Sequence, residues 1–265
     1  MTQHKPTGDK ARPGFPARLD LPRASVTPVR PATAHAQALA HGRMERITQG
    51  LGMDSSAVRR SMVGKLAQQG IADPQVLQAM SQIERHRFVD SALVNQAYED
   101  TSLPIGLGQT ISKPGVVARM LELLRQGRAD RLGRVLEIGT GCGYQAAVLS
   151  VLCEEVYSIE RLRGLHDKAR DNLRPLRLAN LHLLFGDGMA GYAKGAPYAG
   201  IIAAAGGEAV PQAWTDQLAV GGRLVAPVSA GAGRQALVVI DRTVQGLRQT
   251  VMEAVHFVPL KSGVE

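Results

Sequence analysis

The chain is poor in cysteine and aromatic residues and has no long apolar run. Among 265 residues there are two Cys, one Trp, five Tyr and four Phe. Two thiols, Cys142 and Cys153, can neither assemble a structural metal cluster nor staple a small secreted scaffold, so a reducing compartment is expected. No stretch approaches the roughly 18 consecutive apolar residues of a membrane-spanning helix. The first residues carry no apolar core of the secretory kind, which makes the cytoplasm the expected location.

Dense basic patches interleaved with aromatics are also missing. The net charge is +8, yet residues 1–46 hold eight Lys/Arg against three Asp/Glu, and the rest of the chain is close to neutral. This weakens a nucleic-acid reading, because a body that neutralised many phosphates would carry the excess itself. Residues 1–45 read as a disordered, basic, Pro-rich extension with too few large apolar side chains to offset ordering entropy. Residues 46–265 read as one catalytic domain.

Within that domain the patterning alternates. Helical spacing starts at Met44 and runs through Val58, Met62 and Leu66 to Gly70. Asp73-Pro74 predicts an N-cap followed by proline at the first position of a helix over 75–83. A long non-helical segment covers Tyr98–Ser112, and segments of that length are often functional. Ser112-Lys-Pro then opens a helix to about Leu124. Seven strands are predicted at Val135–Ile138, Glu155–Ile159, Leu181–Phe185, Gly200–Ala204, Arg223–Pro227, Ala236–Ile240 and Val251–Val258. The apolar stripe Leu162, Leu165, Ala169, Leu173, Leu176 predicts a helix between the second and third, and Trp214 and Leu218 belong to another. The alternation implies an α/β fold, a doubly wound, mostly parallel seven-stranded sheet with helices on both faces.

The chemistry concentrates at the strand ends. VLEI runs into GTGCG, Gly139 to Gly143, at the carboxyl end of the first strand, where such sheets bind ligands. A dinucleotide fingerprint needs G-x-G-x-x-G, but Tyr144 stands at the third glycine position; a P-loop needs Gly-Lys-Ser/Thr, and neither Lys nor Ser/Thr follows. The second strand ends in Glu160, placed to accept hydrogen bonds from a ribose diol. The third ends in Gly186-Asp187-Gly188, where Asp187 can meet an adenine amine and the glycines leave room for a flat ring. A glycine loop, a ribose acid and an adenine acid in register describe an adenosine site without a phosphate cradle. S-adenosylmethionine fits, and Glu137 and Asp187 suit its cationic sulfonium.

Here the chain resembles the protein-L-isoaspartate O-methyltransferase family of Rossmann-like S-adenosylmethionine-dependent enzymes. The resemblance runs from about Met53 onward and rests on LPIGLGQTIS with KPGVVARML, VLEIGTGCGYQAAVL, VYSIERL, GDG with Gly191, VPQAW, QLAVGGRLVAPV and VHFVPL. It implies methyl esterification of the free α-carboxyl of L-isoaspartyl residues, D-aspartyl residues included, in damaged proteins and peptides. S-adenosyl-L-homocysteine is the implied product, and the acting form a monomer or small oligomer. It places Gln109, Glu137, Gly139, Thr140, Gly141, Cys142, Gly143, Glu160, Gly186, Asp187 and Gly188 around the cofactor. Ser112 is the implied catalytic residue, against the alternative of an N-cap for the next helix. Pro104, Ile105 and Gly106 would pair with the substrate backbone, Thr110 would shape the pocket, and His256 would border the peptide groove. His86 is expected only to pack near a helix end.

Two departures stand out. Ala199 occupies the place of an expected Asp ahead of the fourth strand, and Ala204 that of an expected Thr nearer the active-site end. They leave open a cofactor-binding homologue of reduced activity. A methyltransferase of RNA or small molecules is the other alternative, disfavoured by LPIGLGQTIS and by the lack of an Asn/Asp-Pro-Pro-aromatic motif. Cys142, where the family often has Ser, reads as a small buried residue. The order of the last strands is not legible, although the resemblance implies a variant order at that edge.

Overall fold

In the computed structural model the described residues are 56–265. The extension assigned to residues 1–45, and the helical pattern from Met44 as far as residue 55, lie outside them. Helix α1, Ser56–Gln68, buries Met62 and Leu66 and ends before Gly70 at φ +101°. Helix α2, Pro74–Gln82, starts as its sequence demands: the Asp73 carboxylate accepts from the N–H groups of Gln75 and Val76, and proline fills the first helical position.

Asp73 has a second duty. Its other oxygen accepts from Arg125 Nε at 2.9 Å, with both side chains buried. Arg125 closes helix α3, Pro114–Arg125, and also donates to the carbonyls of Asp130 and Arg128. One buried ion pair therefore ties the start of α2 to the end of α3. A second buried cation, Arg85, donates to the Ala97 carbonyl at 2.8 Å and stacks 4.8 Å from the Tyr144 ring centroid. Tyr144 opens helix α4, Tyr144–Leu152, which is apolar all round because α2 covers its outer side and the sheet its inner side. His86 packs as expected, its Nδ1 at 2.8 Å from the Tyr98 hydroxyl.

The segment Tyr98–Ser112 is more ordered than its composition predicts. It holds a hairpin of β1, Leu103–Gly106, and β2, Gln109–Ile111. Leu107 and Gly108 turn it with φ of +52° and +68°, the sign a two-residue hairpin turn needs at both centres.

The main sheet comprises β3 Leu132–Ile138, β4 Cys153–Glu160, β5 Leu181–Phe185, β6 Tyr198–Ala203, β7 Leu218–Ser229, β8 Gln235–Thr243 and β9 Gly246–Val255, in the order β5-β4-β3-β6-β7-β8-β9. Strands β3 to β7 are parallel, and β8 and β9 return as an antiparallel meander. All seven expected strands are present. Most bounds differ by one to five residues, and three of the differences bear on the site. β6 starts at Tyr198, so Ala199 lies inside the strand, at the end away from its carboxyl terminus. β9 starts at Gly246, because its exposed first half, Leu247–Thr250, has no inward face to leave a periodic signal. It also stops at Val255, after which the chain crosses to Gly206, which pairs with Pro259.

Helix α5, Arg163–Leu173, buries Leu165, Ala169 and Leu173 of the expected stripe. The short helix α6, Gln212–Gln217, buries Trp214, but Leu218, expected in the same helix, instead opens β7. No helix among the described residues is long and apolar enough to cross a membrane.

Arg125→Met would strand the Asp73 carboxylate in the core. It is expected to lower unfolding free energy by about 3–5 kcal/mol. Asp73→Ser combined with Arg125→Met, which keeps a cap but removes both charges, should recover part of that loss in urea titration; a double variant no more stable than the single one contradicts the ion-pair account.

Candidate active site

The chain leaves β3 for β4 on one side and, after β5, returns to β6 on the other. The crevice this reversal creates lies at the carboxyl end of β3, where the glycine loop turns. Gly139, Gly141 and Gly143 have φ of +88°, +57° and +93°, values that side chains rarely tolerate. At Gly143 space is limiting too, since a Cβ would stand 2.8 Å from Leu173 Cδ1.

Glu160 closes the loop from the next strand. Its Oε2 accepts from Gly141 N at 2.8 Å and its Oε1 from Leu162 N at 3.0 Å. Each oxygen can accept a further donor, and Glu160 lines the cleft. Gly188 follows the third strand, where a Cβ would meet Ile138 Cγ2 at 2.6 Å. Its carbonyl accepts from Trp214 Nε1 at 2.8 Å.

These parts line a cleft with Ile105, Gln109, Thr110, Ile111 and Ser112 of the hairpin region, with Gln145, Leu162, Leu165 and Ala204, and with Val258–Lys261. Thr140 and Cys142 line it with the loop glycines 139 and 141. Burial pushes the Cys142 thiol up to about 11, so it is an uncharged space-filler at neutral pH. A second cleft adjoins, lined by Ser102, Lys113, Val116 and 254–257, among them His256; Thr110, Ser112, Ala204 and Val258 belong to both. The two clefts share one wall, and Ser112 stands in it.

Ser112 does not cap α3. Lys113 occupies the N-cap position without a side-chain bond, and the Gly115 N–H instead donates to Asp100 Oδ1 at 2.7 Å. Gly115 permits this approach, since a Cβ there would come within 2.9 Å of the same oxygen. Among the described residues no protein group hydrogen-bonds the Ser112 hydroxyl.

Other expected site residues lie elsewhere. Glu137 is fully buried beneath the loop, and Gly143 faces α5 rather than the cleft. Gly186 and Asp187 stand behind the lining; Asp187 accepts from Met189 N at 2.8 Å and, through its other oxygen, from Gly263 N at 2.7 Å. Pro104 and Gly106 line neither cleft. The Ile105 carbonyl is engaged by Lys168 Nζ at 2.9 Å, so that point of the β1 edge is not open to an added strand. Sequence reasoning missed Leu162, Gln145 and the wall Val258–Lys261. VHFVPL was the available signal for the wall, but only the Gly206–Pro259 pairing reveals its position.

Beneath the loop, Glu137 Oε2 accepts from Ser158 Oγ, and Thr140 Oγ1 lies 2.6 Å from the same hydroxyl. Glu137 Oε1 and Gln145 Nε2 are buried without partners. Burial raises the Glu137 carboxyl from 4.5 to about 8, against the smaller lowering effect of Ser158 and nearby Gln145. Gln145 reaches the cleft lining, whereas Glu137 stays beneath it as an uncharged carboxyl at neutral pH.

Between pH 4.5 and about 8 the unfolded chain sheds the Glu137 proton while the folded chain keeps it. The carboxyl therefore costs stability progressively as pH rises through that window. Glu137→Gln, which cannot ionise, should gain on the unaltered protein by roughly 1.4 kcal/mol per pH unit across it. Urea unfolding at both ends of the window tests this, and a pH-independent difference contradicts it.

A family model described as protein-L-isoaspartate(D-aspartate) O-methyltransferase matches residues 57–265. Two relatives named protein-L-isoaspartate O-methyltransferase match nearly end to end. That of Methylibium petroleiphilum is 56% identical over 97% of this chain and 99% of its own, and that of Leptothrix cholodnii 54% identical over 96% and 97%. A solved structure of the same name is 28% identical with a TM-score of 0.70, covering 78% of this chain and 67% of that one. A Plasmodium falciparum protein assigned to the same activity, solved with S-adenosyl-L-homocysteine, is 23% identical with a TM-score of 0.65 over 77% of this chain and 98% of that one, a likeness of fold. With this breadth of match over the sheet, the hairpin and both clefts, the chain belongs to the protein-L-isoaspartate O-methyltransferase family.

Proposed function

We propose that the protein methylates the free α-carboxylate of L-isoaspartyl residues, and of D-aspartyl residues, in damaged proteins and peptides. The observation that carries this reading is the shared wall: an adenosine-type cleft and an open cleft meet at Ser112, whose hydroxyl is uncommitted. Family membership supports the same substrate. The catalytic domain is assigned to residues 46–265, acting as a cytoplasmic monomer without nucleic-acid or membrane partners.

When bound, S-adenosyl-L-methionine supplies a methyl group on a sulfonium and leaves as S-adenosyl-L-homocysteine. Glu160 would hold the ribose hydroxyls with its spare lone pairs. Leu162 and Gly188 would flank the base, Asp187 standing behind them. Gln109, Gln145, Gly139, Thr140, Gly141 and Cys142 would line the methionine end, with Glu137 and Gly143 shaping the loop from beneath and behind.

The substrate carboxylate is ionised at neutral pH, so no general base is required. Alignment and drying of that carboxylate are what the protein must provide. Ser112 would donate to one carboxylate oxygen and leave the other facing the methyl group. Thr110 and Ile105 would narrow the wall around it, with Pro104 and Gly106 supporting the hairpin. His256 would border the peptide. The methyl ester is a better acyl donor than the carboxylate. The following backbone nitrogen attacks its carbonyl and methanol leaves, closing a succinimide that water reopens partly to normal aspartate.

The direct test incubates the protein with labelled S-adenosyl-L-methionine and matched isoaspartyl and aspartyl peptides. Base-labile label on the isoaspartyl peptide alone is expected; transfer to both, or to neither while the cofactor binds, overturns the reading. Ser112→Ala should lower kcat/KM roughly 10- to 100-fold, the scale of a hydrogen bond to a charged group, with cofactor affinity within a few-fold. A rate equal to the unaltered enzyme would remove Ser112 from the mechanism. Light scattering should return a single-chain mass.

A further inference from the structure

The open cleft beside Ser112 has an uneven charge. Its lining includes Ser102, Thr110, Ser112, Lys113, Val116, Ala204 and the stretch Ala254–Val258. Lys113 is the one formally charged side chain among these, His256 the one other ionisable group of the cleft, and no carboxylate contributes to the lining. A chain close to charge neutrality over its body thus presents a cleft of positive sign.

Local folding does not account for Lys113. It holds the N-cap position of α3, makes no capping bond there, and is exposed. A cation at a helix N-terminus opposes the helix dipole. The capping duty has passed to Asp100, fifteen residues upstream of Gly115. Among the described residues no carboxylate lies within ion-pair distance of Lys113. Its ammonium group is left to solvent and to whatever occupies the cleft.

The reacting carboxylate is a poor candidate for that partner. Its charge and the sulfonium charge both disappear as the methyl group moves, so a cation held against it would stabilise the reactants more than the transition state. The neighbouring Ser112 suits that carboxylate instead, because it donates a hydrogen bond without adding charge. Lys113, one residue further along, is placed to meet side chains that flank the damaged residue.

We propose that Lys113 is a specificity-determining residue that favours isoaspartyl sites with acidic neighbours over those with basic neighbours. The inference rests on the isoaspartyl reading and deepens it. An exposed cation acts through long-range attraction, so the preference sits in KM and fades as salt rises.

The test uses three isoaspartyl peptides identical except for Glu, Gln or Lys at one position beside the damaged residue. At low ionic strength the full-length protein should rank them Glu, Gln, Lys in kcat/KM, with roughly threefold between steps, the scale of an exposed ion pair. Lys113→Gln should flatten the series and Lys113→Glu should invert it, while addition of salt compresses all three towards one value. A flat series in the unaltered protein, or an unchanged ranking in Lys113→Glu, overturns the proposal. Failure of the isoaspartyl reading would look different: no peptide of the series would be methylated, although S-adenosyl-L-homocysteine still bound by calorimetry, and this proposal would fall with it.

Discussion

The carboxylate of Glu160 joins the two turns on which the cleft at the end of β3 is built. It stands at the end of β4, one strand over from the glycine loop, and accepts one backbone N–H from that loop and one from the entry to α5. Gly139 and Thr140 add to this by donating to the Ile159 carbonyl just before it. The loop's left-handed glycines are thus held by a neighbouring strand as well as by their own torsions. Because the crevice is where the sheet reverses direction, fixing that corner also fixes what can approach it from β5, β6 and the hairpin.

The hairpin obtains its position from outside the sheet. Lys168 of α5 bonds both the Ile105 carbonyl and Asp90, each at 2.9 Å. The turn residue Leu107 reaches towards Gly164 at the start of the same helix, where even a Cβ would stand 3.1 Å from Leu107 Cδ1. One helix therefore sets both a wall of the first cleft, through Leu165, and the cover above it. The buried pair Asp73–Arg125 and the stacked Arg85–Tyr144 perform the corresponding task for the helices behind. Rigid support beneath an ordered cover suits a reaction that depends more on alignment than on acid or base strength.

Local chemistry was the legible part of the fold. Asp73-Pro74 named its helix, and alternating apolar runs named seven strands, because caps and periodicity act within a few residues. The glycine loop and Glu160 were legible for the same reason, each lying at a predicted strand end. What escaped depends on distant partners. The strands β1 and β2 are too short and too rich in Gly and Pro to leave a period. The local sequence of Ser112 also fits a cap, and only the fold shows Asp100 taking that part. The wall Val258–Lys261 is created by pairing with Gly206, some fifty residues earlier in sequence order. Ala199 was expected ahead of β6 and lies within it, at the end remote from both clefts, whereas Ala204 lines both. Of the two departures from the family pattern, Ala204 is the one placed to touch the chemistry.

The single tryptophan of the chain is also the residue that grips the turn after β5. Trp214 is 1% exposed, and its indole N–H donates to the carbonyl of Gly188, a residue of the first cleft's wall. The one indole of the chain is thus bonded directly to a wall of the first cleft. A filled cleft would reach it through a single hydrogen bond, with no second tryptophan to dilute its emission and no label needed to read it.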